Sequence, residues 1–233
     1  MELLNEPAVG RGVKEQMFSH HCEGRDIPGI LWTPEDEPAT GIILLGHGGS
    51  THKRTDYILS LARRLVRHHK FAAFAIDGPG HGDRIKGDAD FENAWSDENA
   101  TKDIVADWRS TLNEVTGILG DLPIGYFGLS MGMMMGLPLV ASEPKIQAAV
   151  LGLMGTWGPN KAALIEAAPK INIPVRVLTQ WDDELIPRDK CLELFGLIGT
   201  NKKAMHINPG AHSAVPPVEM KGVSDFLASH LLH

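Results

Sequence analysis

The chain has 233 residues, 43% of them hydrophobic and 22% charged, with a formal net charge of −7. That length and balance suit one globular domain over residues 1–233 with a large core, and the acidic surplus argues against a general nucleic-acid binder. No apolar run approaches the ~18 residues that a membrane span needs. Residues 1–19 show no h-region of a secretory signal, and the two cysteines, Cys22 and Cys191, lie too far apart in sequence to suggest metal spacing or a disulfide scaffold, so a reducing, cytoplasmic setting is expected.

The chain opens as a hairpin: a strand over 13–22, a turn at Glu23-Gly24-Arg25-Asp26, and a strand over 27–32 closed by Pro34. Short apolar runs then alternate with amphipathic stretches. Residues 41–45 read as a buried strand. Residues 57–69 carry Ile58, Leu61, Ala62 and Leu65 on one face and read as a helix. A strand over 71–76 follows, and a helix over 103–119 has Ile104, Trp108, Leu112 and Val115 at helical spacing. Further strands are expected at 124–127, 146–154, 175–178 and 204–207. Helices are expected at 131–141, 161–168, 188–197 and 219–232. Strands alternating with helices give an α/β fold: a mostly parallel sheet covered on both faces, with the hairpin as an antiparallel edge.

Gly128-Leu129-Ser130-Met131-Gly132 follows the run Ile124-Gly125-Tyr126-Phe127 directly. Gly-x-Ser-x-Gly between a strand and a helix is a nucleophile elbow: the turn is too sharp for side chains at the flanking glycines, and the serine is held at its tip. Composition alone yields such a pattern by accident in roughly one chain in ten, so context carries the argument.

In an open α/β sheet the ligand sits at the carboxyl ends of the strands. The first parallel strand ends in Gly46-His47-Gly48-Gly49-Ser50. An amide here, Gly49 first and Gly48 as the alternative, would join that of Met131 in an oxyanion hole. Neither Gly-x-x-x-x-Gly-Lys nor Gly-x-Gly-x-x-Gly occurs here, which disfavours a nucleotide-binding loop. Asp77-Gly78-Pro79-Gly80-His81-Gly82 reads as a scaffold turn, with His81 at most lining the pocket. The loop Trp181-Asp182-Asp183-Glu184-Leu185-Ile186-Pro187 offers three acids, one of them needed to orient a histidine unless all three merely form a solvated turn. Pro209-Gly210-Ala211-His212-Ser213 places a histidine after the last strand, where it can act as a base. There are 11 histidines, but no His-Glu-x-x-His. No metal site and no cofactor are expected.

The order Ser130, acid, His212 is that of the α/β-hydrolases. Over essentially its whole length the chain resembles that superfamily, and among its members the small dienelactone hydrolase-like serine esterases. The resemblance rests on His47-Gly48-Gly49, the 77–82 loop, the elbow, Asp183-x-x-Ile186-Pro187 and Gly210-Ala211-His212. The family pattern Asp-x-x-Val/Ile-Pro implies Asp183 as the catalytic acid, with Asp182 as runner-up. Dienelactone hydrolases proper carry cysteine in the elbow, so Ser130 turns the expectation toward an ordinary carboxylic-ester hydrolase.

The expected chemistry is attack by Ser130 on an ester carbonyl, with His212 as base, and activity is expected to fall in acid as His212 protonates. An acyltransferase, thioesterase or amidase would share the acyl-enzyme, and an inactive hydrolase fold used for binding is a third alternative. The stretch 155–173 is short for a lid. The longer excursion at 82–100, with Phe91 and Trp95, is expected to form a pocket wall, with Trp157 and Trp181 near the mouth, giving a shallow pocket for small or short-chain esters. Met131, Met133, Met134 and Met135 read as a buried helix face. Lys53, Arg54, Arg84 and Lys86 read as solvated surface at the catalytic end. The expected partner is a small-molecule ester, with no nucleic acid and no membrane; sequence leaves the oligomeric state open.

Overall fold

The computed structural model describes residues 1–87 and 99–232. Its strands are β1 (Glu2–Leu3), β2 (Ala8–Gly10), β3 (Val13–Cys22), β4 (Arg25–Pro34), β5 (Ile42–Gly46), β6 (Ala72–Ile76), β7 (Ile124–Leu129), β8 (Ile146–Gly152), β9 (Val175–Gln180) and β10 (Lys203–Asn208). They form one 10-stranded sheet in the order β1-β3-β4-β6-β5-β7-β8-β9-β10, with β2 also paired to β3. All pairings from β6 through β10 are parallel. β3 and β4 are antiparallel to each other, and β4 is antiparallel to β6, so the hairpin forms the expected edge. Its turn is tighter than expected. Cys22 pairs directly with Arg25, and Glu23 and Gly24 alone make the turn, both at positive φ as a two-residue hairpin loop requires. β1 and β2 were not foreseen. They are two- and three-residue pieces with no periodicity of their own, held by pairing to β3.

Six α-helices are described: α1 (Asp56–His69), α2 (Ala100–Leu119), α3 (Met131–Ser142), α4 (Lys161–Ala167), α5 (Arg188–Leu197) and α6 (Pro217–Leu231). α1 buries Ile58, Leu61, Ala62, Leu65 and Val66, a single apolar stripe. That stripe packs with Val223 and Leu227 of α6 on one face of the sheet. The other face is covered by α2 through Trp108 and Leu112, by α4 through Leu164, and by α5 through Leu194, with the methionines of α3. α3 is apolar around its whole circumference because it is enclosed: Met131, Met133, Met134 and Met135 are all buried, as expected. Among the described residues no helix is long and apolar enough to cross a membrane.

Candidate active site

β7 enters the elbow and α3 leaves it. Ser130 sits between them at φ 56° and ψ −121°, a backbone conformation that a non-glycine residue adopts only when its surroundings enforce it. The enforcement is visible. Ser130 N–H donates to the Gly152 carbonyl at 2.8 Å, and the Ser130 carbonyl accepts from Met134 N at 3.0 Å. A Cβ on Gly128 would stand 2.5 Å from the Gly132 carbonyl oxygen, and one on Gly132 would overlap the Gly46 carbonyl oxygen. The flanking glycines are therefore needed because backbone passes where a side chain would stand. Five other non-glycine residues among those described have positive φ. Arg11, Glu23 and Lys70 close hairpins or cap a helix, whereas Ser50 and Leu153, like Ser130, line the cavities described below.

His212 Nε2 lies 2.9 Å from Ser130 Oγ, and His212 Nδ1 lies 2.8 Å from Asp183 Oδ2. Nδ1–H therefore donates to the carboxylate, and Nε2 is left to accept the serine hydroxyl. The Asp183 side chain is fully buried. Its other oxygen, Oδ1, accepts from Leu185 N and Ile186 N, each at 2.9 Å. The loop 181–187 is no mere solvated turn, because all three acids are engaged. Asp182 Oδ2 accepts from Gly210 N at 3.0 Å, and Glu184 Oε2 accepts from His212 N at 2.9 Å. Both therefore fix the backbone of the histidine loop, while Asp183 alone reaches the imidazole. His212 N–H draws the Glu184 carboxyl below its usual range. Gln180, absent from the sequence expectation, adds a third tether through Nε2, which donates to Ala214 O at 3.0 Å and more weakly to Ala211 O and Pro209 O.

The Gly48–Gly49 peptide is clamped. Its carbonyl oxygen, on Gly48, accepts His47 Nδ1–H at 2.8 Å and the Thr51 hydroxyl at 2.7 Å. A trans peptide points N–H opposite to C=O, so these two donors aim the Gly49 amide the other way. His47 Nε2 in turn accepts from Gly78 N at 2.9 Å, which ties the end of β5 to the end of β6. Burial pushes the His47 imidazole down to about 4, so it is neutral, as this bonding pattern demands. The two oxyanion candidates at this loop are separated by their partners. Gly48 N–H is consumed by the Tyr57 hydroxyl at 2.6 Å. Among the described residues, the Gly49 and Met131 amides meet no protein acceptor.

Two cavities meet at Gly49, Ser130 and His212. The smaller, about 230 Å³, is walled by Tyr57, Leu129, Leu153, Val215 and Met220. The larger, about 420 Å³, is walled by Met131, Met134, Met154, Trp157, Leu185 and Ile186. No Asp, Glu, Lys or Arg among the described residues lines either one. Trp157 is exposed and lines the larger cavity. Trp181 lines neither cavity. It is exposed, with the Arg188 guanidinium 3.8 Å above its ring. Trp95 and Phe91 lie outside the described residues. Two of the four basic residues of this end, Lys53 and Arg84, differ from the expected solvated surface. Lys53 is buried, its Nζ donating to Asp77 at 2.6 Å and Asp83 at 2.7 Å, and Arg84 is paired with buried Asp107 at 2.9 Å. Asp77 and Asp107 are themselves fully buried and would be stranded charges without these cations. Arg54 is half-exposed against Glu15, and Lys86 is exposed. His81 is buried, its Nδ1 2.8 Å from the Pro79 carbonyl oxygen, and it lines neither of the two cavities at Ser130. No cluster of three or more His, Cys, Asp or Glu among the described residues is placed to hold a metal ion.

A mostly parallel sheet that carries a strained serine on a strand–turn–helix elbow, with a histidine loop after its last strand, defines an α/β-hydrolase. A cold-adapted esterase from an Arctic intertidal metagenomic library, solved with bound PEG, is 43% identical; the match covers 99% of this chain and 100% of that one, with a TM-score of 0.92. On those grounds the chain belongs to the α/β-hydrolase superfamily, among its carboxylesterase-type members. A dienelactone hydrolase from Anabaena variabilis is 20% identical over 96% of this chain and 99% of that one, with a TM-score of 0.72. A highly thermostable carboxyl esterase from Bacillus coagulans is 15% identical over 93% and 99%, with a TM-score of 0.74. At these lower identities the likeness is one of fold. No protein-family model and no curated protein matches the chain.

Proposed function

We propose that the protein hydrolyses small, uncharged carboxylic esters through an acyl-enzyme on Ser130. The observation that carries this reading is His212 bridging Ser130 Oγ and buried Asp183 through its two ring nitrogens. His212 Nε2 takes the Ser130 proton as Oγ bonds to the ester carbonyl carbon. The carbonyl oxygen becomes an oxyanion facing the Gly49 and Met131 amides, the latter at the first turn of α3 where the helix dipole adds positive potential. Asp183 holds the imidazole in the required tautomer and offsets its charge. Collapse of the tetrahedral adduct breaks the ester C–O bond, and the proton on Nε2 passes to the leaving alcohol. Water then attacks the acyl-enzyme by the same steps, releasing the acid and restoring Ser130.

The substrate class follows from the cavity walls. Groups on either side of the carbonyl would enter apolar, uncharged space, so a carboxylate on either side would be desolvated without a partner. The smaller cavity, about 230 Å³, favours one short substituent. We read the whole chain as one hydrolase domain, and its two free cysteines fit a reducing, cytoplasmic setting. The test is a series of p-nitrophenyl esters from acetate to palmitate. kcat/KM is expected to fall by about tenfold or more from butyrate to palmitate; a preference for palmitate would refute the small-ester reading. Thioester, amide and alcohol-acceptor probes with product analysis separate hydrolysis of esters from the related acyl transfers.

A further inference from the structure

A third cavity, about 470 Å³, lies between α1 and the β2–β3 hairpin, and none of its lining residues is shared with the two cavities at Ser130. Its size falls within the range of small-molecule sites, about 300–1,000 Å³. Four arginines line it, Arg11, Arg54, Arg63 and Arg67, and the one acid among them is Glu15. Glu15 is already saturated: it accepts Arg54 Nε at 2.6 Å, Arg63 NH2 at 3.4 Å and the indole N–H of buried Trp32 at 2.9 Å. Arg67 Nε donates to the Arg11 carbonyl at 3.1 Å, which holds the hairpin against α1. The Arg11 side chain makes no hydrogen bond or ion pair with a described residue. Three positive charges are therefore left uncompensated in one recess of a chain whose net charge is −7. Most of the guanidinium N–H donors also remain unused, and a guanidinium presents five in a planar fork matched to phosphate oxygens. The hairpin also lines the recess with Ala8, Gly10, Val13 and exposed Val9, which are apolar.

We propose that this recess binds a small multivalent phosphate compound, its phosphates on the four arginines and a less polar portion against the apolar residues Ala8, Val9 and Val13. Like charges gathered around a cavity repel one another, and a polyanion relieves that repulsion while engaging several guanidinium forks at once. A concave site of this size admits a small molecule, whereas a nucleic-acid duplex or a membrane surface needs an extended basic face.

The experiment is isothermal titration calorimetry of the full chain with inorganic tripolyphosphate and, separately, adenosine triphosphate, without divalent cations and at constant ionic strength, with sulfate as control. Saturable 1:1 binding of at least one phosphate probe is expected, weakened about tenfold by Arg63→Ser and by Arg67→Ser. Ester hydrolysis by both variants should be unchanged, since neither residue touches the Ser130 cavities. Arg11→Asn serves as a second variant that favours folding, because Asn suits the positive φ before Gly12, and it too should weaken binding. Tighter binding of adenosine triphosphate than tripolyphosphate would assign a role to the apolar lining residues; equal binding would assign recognition to the phosphates alone. No saturable heat beyond that of sulfate, or binding that survives all three substitutions, overturns the proposal.

Discussion

Replacing Asp183 with asparagine separates the proposed acid from its two acidic neighbours, and the structure fixes how the new side chain must sit. Asp183 Oδ1 accepts two backbone amides, from Leu185 and Ile186, while Oδ2 accepts His212 Nδ1–H. In Asp183→Asn, a carboxamide with its NH2 turned toward the two backbone donors would set N–H against N–H twice. Turned the other way, it conflicts once, with His212. The asparagine oxygen therefore stays on the backbone amides and its NH2 faces the imidazole. His212 must then accept at Nδ1 and carry its proton on Nε2, where it can no longer take the Ser130 proton. A wrong tautomer in an otherwise intact site lowers kcat by about 10⁴-fold, about 5.5 kcal/mol in the barrier. Asp182→Asn and Glu184→Gln keep an acceptor oxygen for the histidine-loop backbone and lose only the charge of an exposed carboxylate, and each is expected to reduce kcat by about tenfold at most. The assay is steady-state hydrolysis of p-nitrophenyl butyrate by the three variants, with thermal melts to confirm folding. A loss below about tenfold in folded Asp183→Asn, or a larger loss in either neighbour, refutes the reasoning.

Thr51→Val removes one of the two donors that hold the Gly48 carbonyl and so loosens the aim of the Gly49 amide. About 1 kcal/mol of transition-state stabilisation is at stake, seen as a roughly five- to tenfold fall in kcat with KM little changed; a rise in KM alone would contradict this role. Stability should also fall in acid. His47 is held neutral in the fold down to about 4, against 6.5 for an ordinary imidazole, so the unfolded chain gains its proton first as pH drops. The stabilising contribution is present above pH 6.5, declines on the way to about pH 4 and is gone below it, a change on the order of 3 kcal/mol. Urea midpoints measured across that window should show a shallower decline in His47→Gln. Some slope will remain, because burial also lowers the imidazoles of His20, His69 and His81. An identical slope in the variant would refute the assignment.

Ser130 and His212 were legible in sequence as candidates because each lies at a strand end inside a short pattern that constrains backbone shape, and Asp183 was legible through the Asp-x-x-Ile-Pro pattern of the family the chain resembles. The helices on the sheet were legible from apolar spacing, as at Ile58, Leu61 and Leu65. Residues that act through tertiary placement left no such trace. Tyr57 is one position from the apolar stripe of α1, and its hydroxyl reaches Gly48 only because α1 starts beside the end of β5. Gln180 looks like the last residue of a strand, and its tethering of the histidine loop depends on β9 and β10 being neighbours. The burial of Lys53 could not be read from its own surroundings, since it follows from Asp77 at the end of a different strand. Among the three acids of the 181–187 loop, the residues alone gave no ranking, and it was the family pattern that favoured Asp183 over Asp182. The tethers that Asp182 and Glu184 make to the histidine loop exist only because the fold sets that loop beside them.

Mass spectrometry of the intact protein after reaction with a fluorophosphonate, with the labelled peptide sequenced and Ser130→Ala as control, tests the central claim most directly. The account predicts one adduct per chain, located at Ser130, absent in the variant and sharply slowed in Asp183→Asn. A folded protein that takes up no label, or takes it up at another residue, would contradict an activated Ser130 and with it the proposed acyl-enzyme.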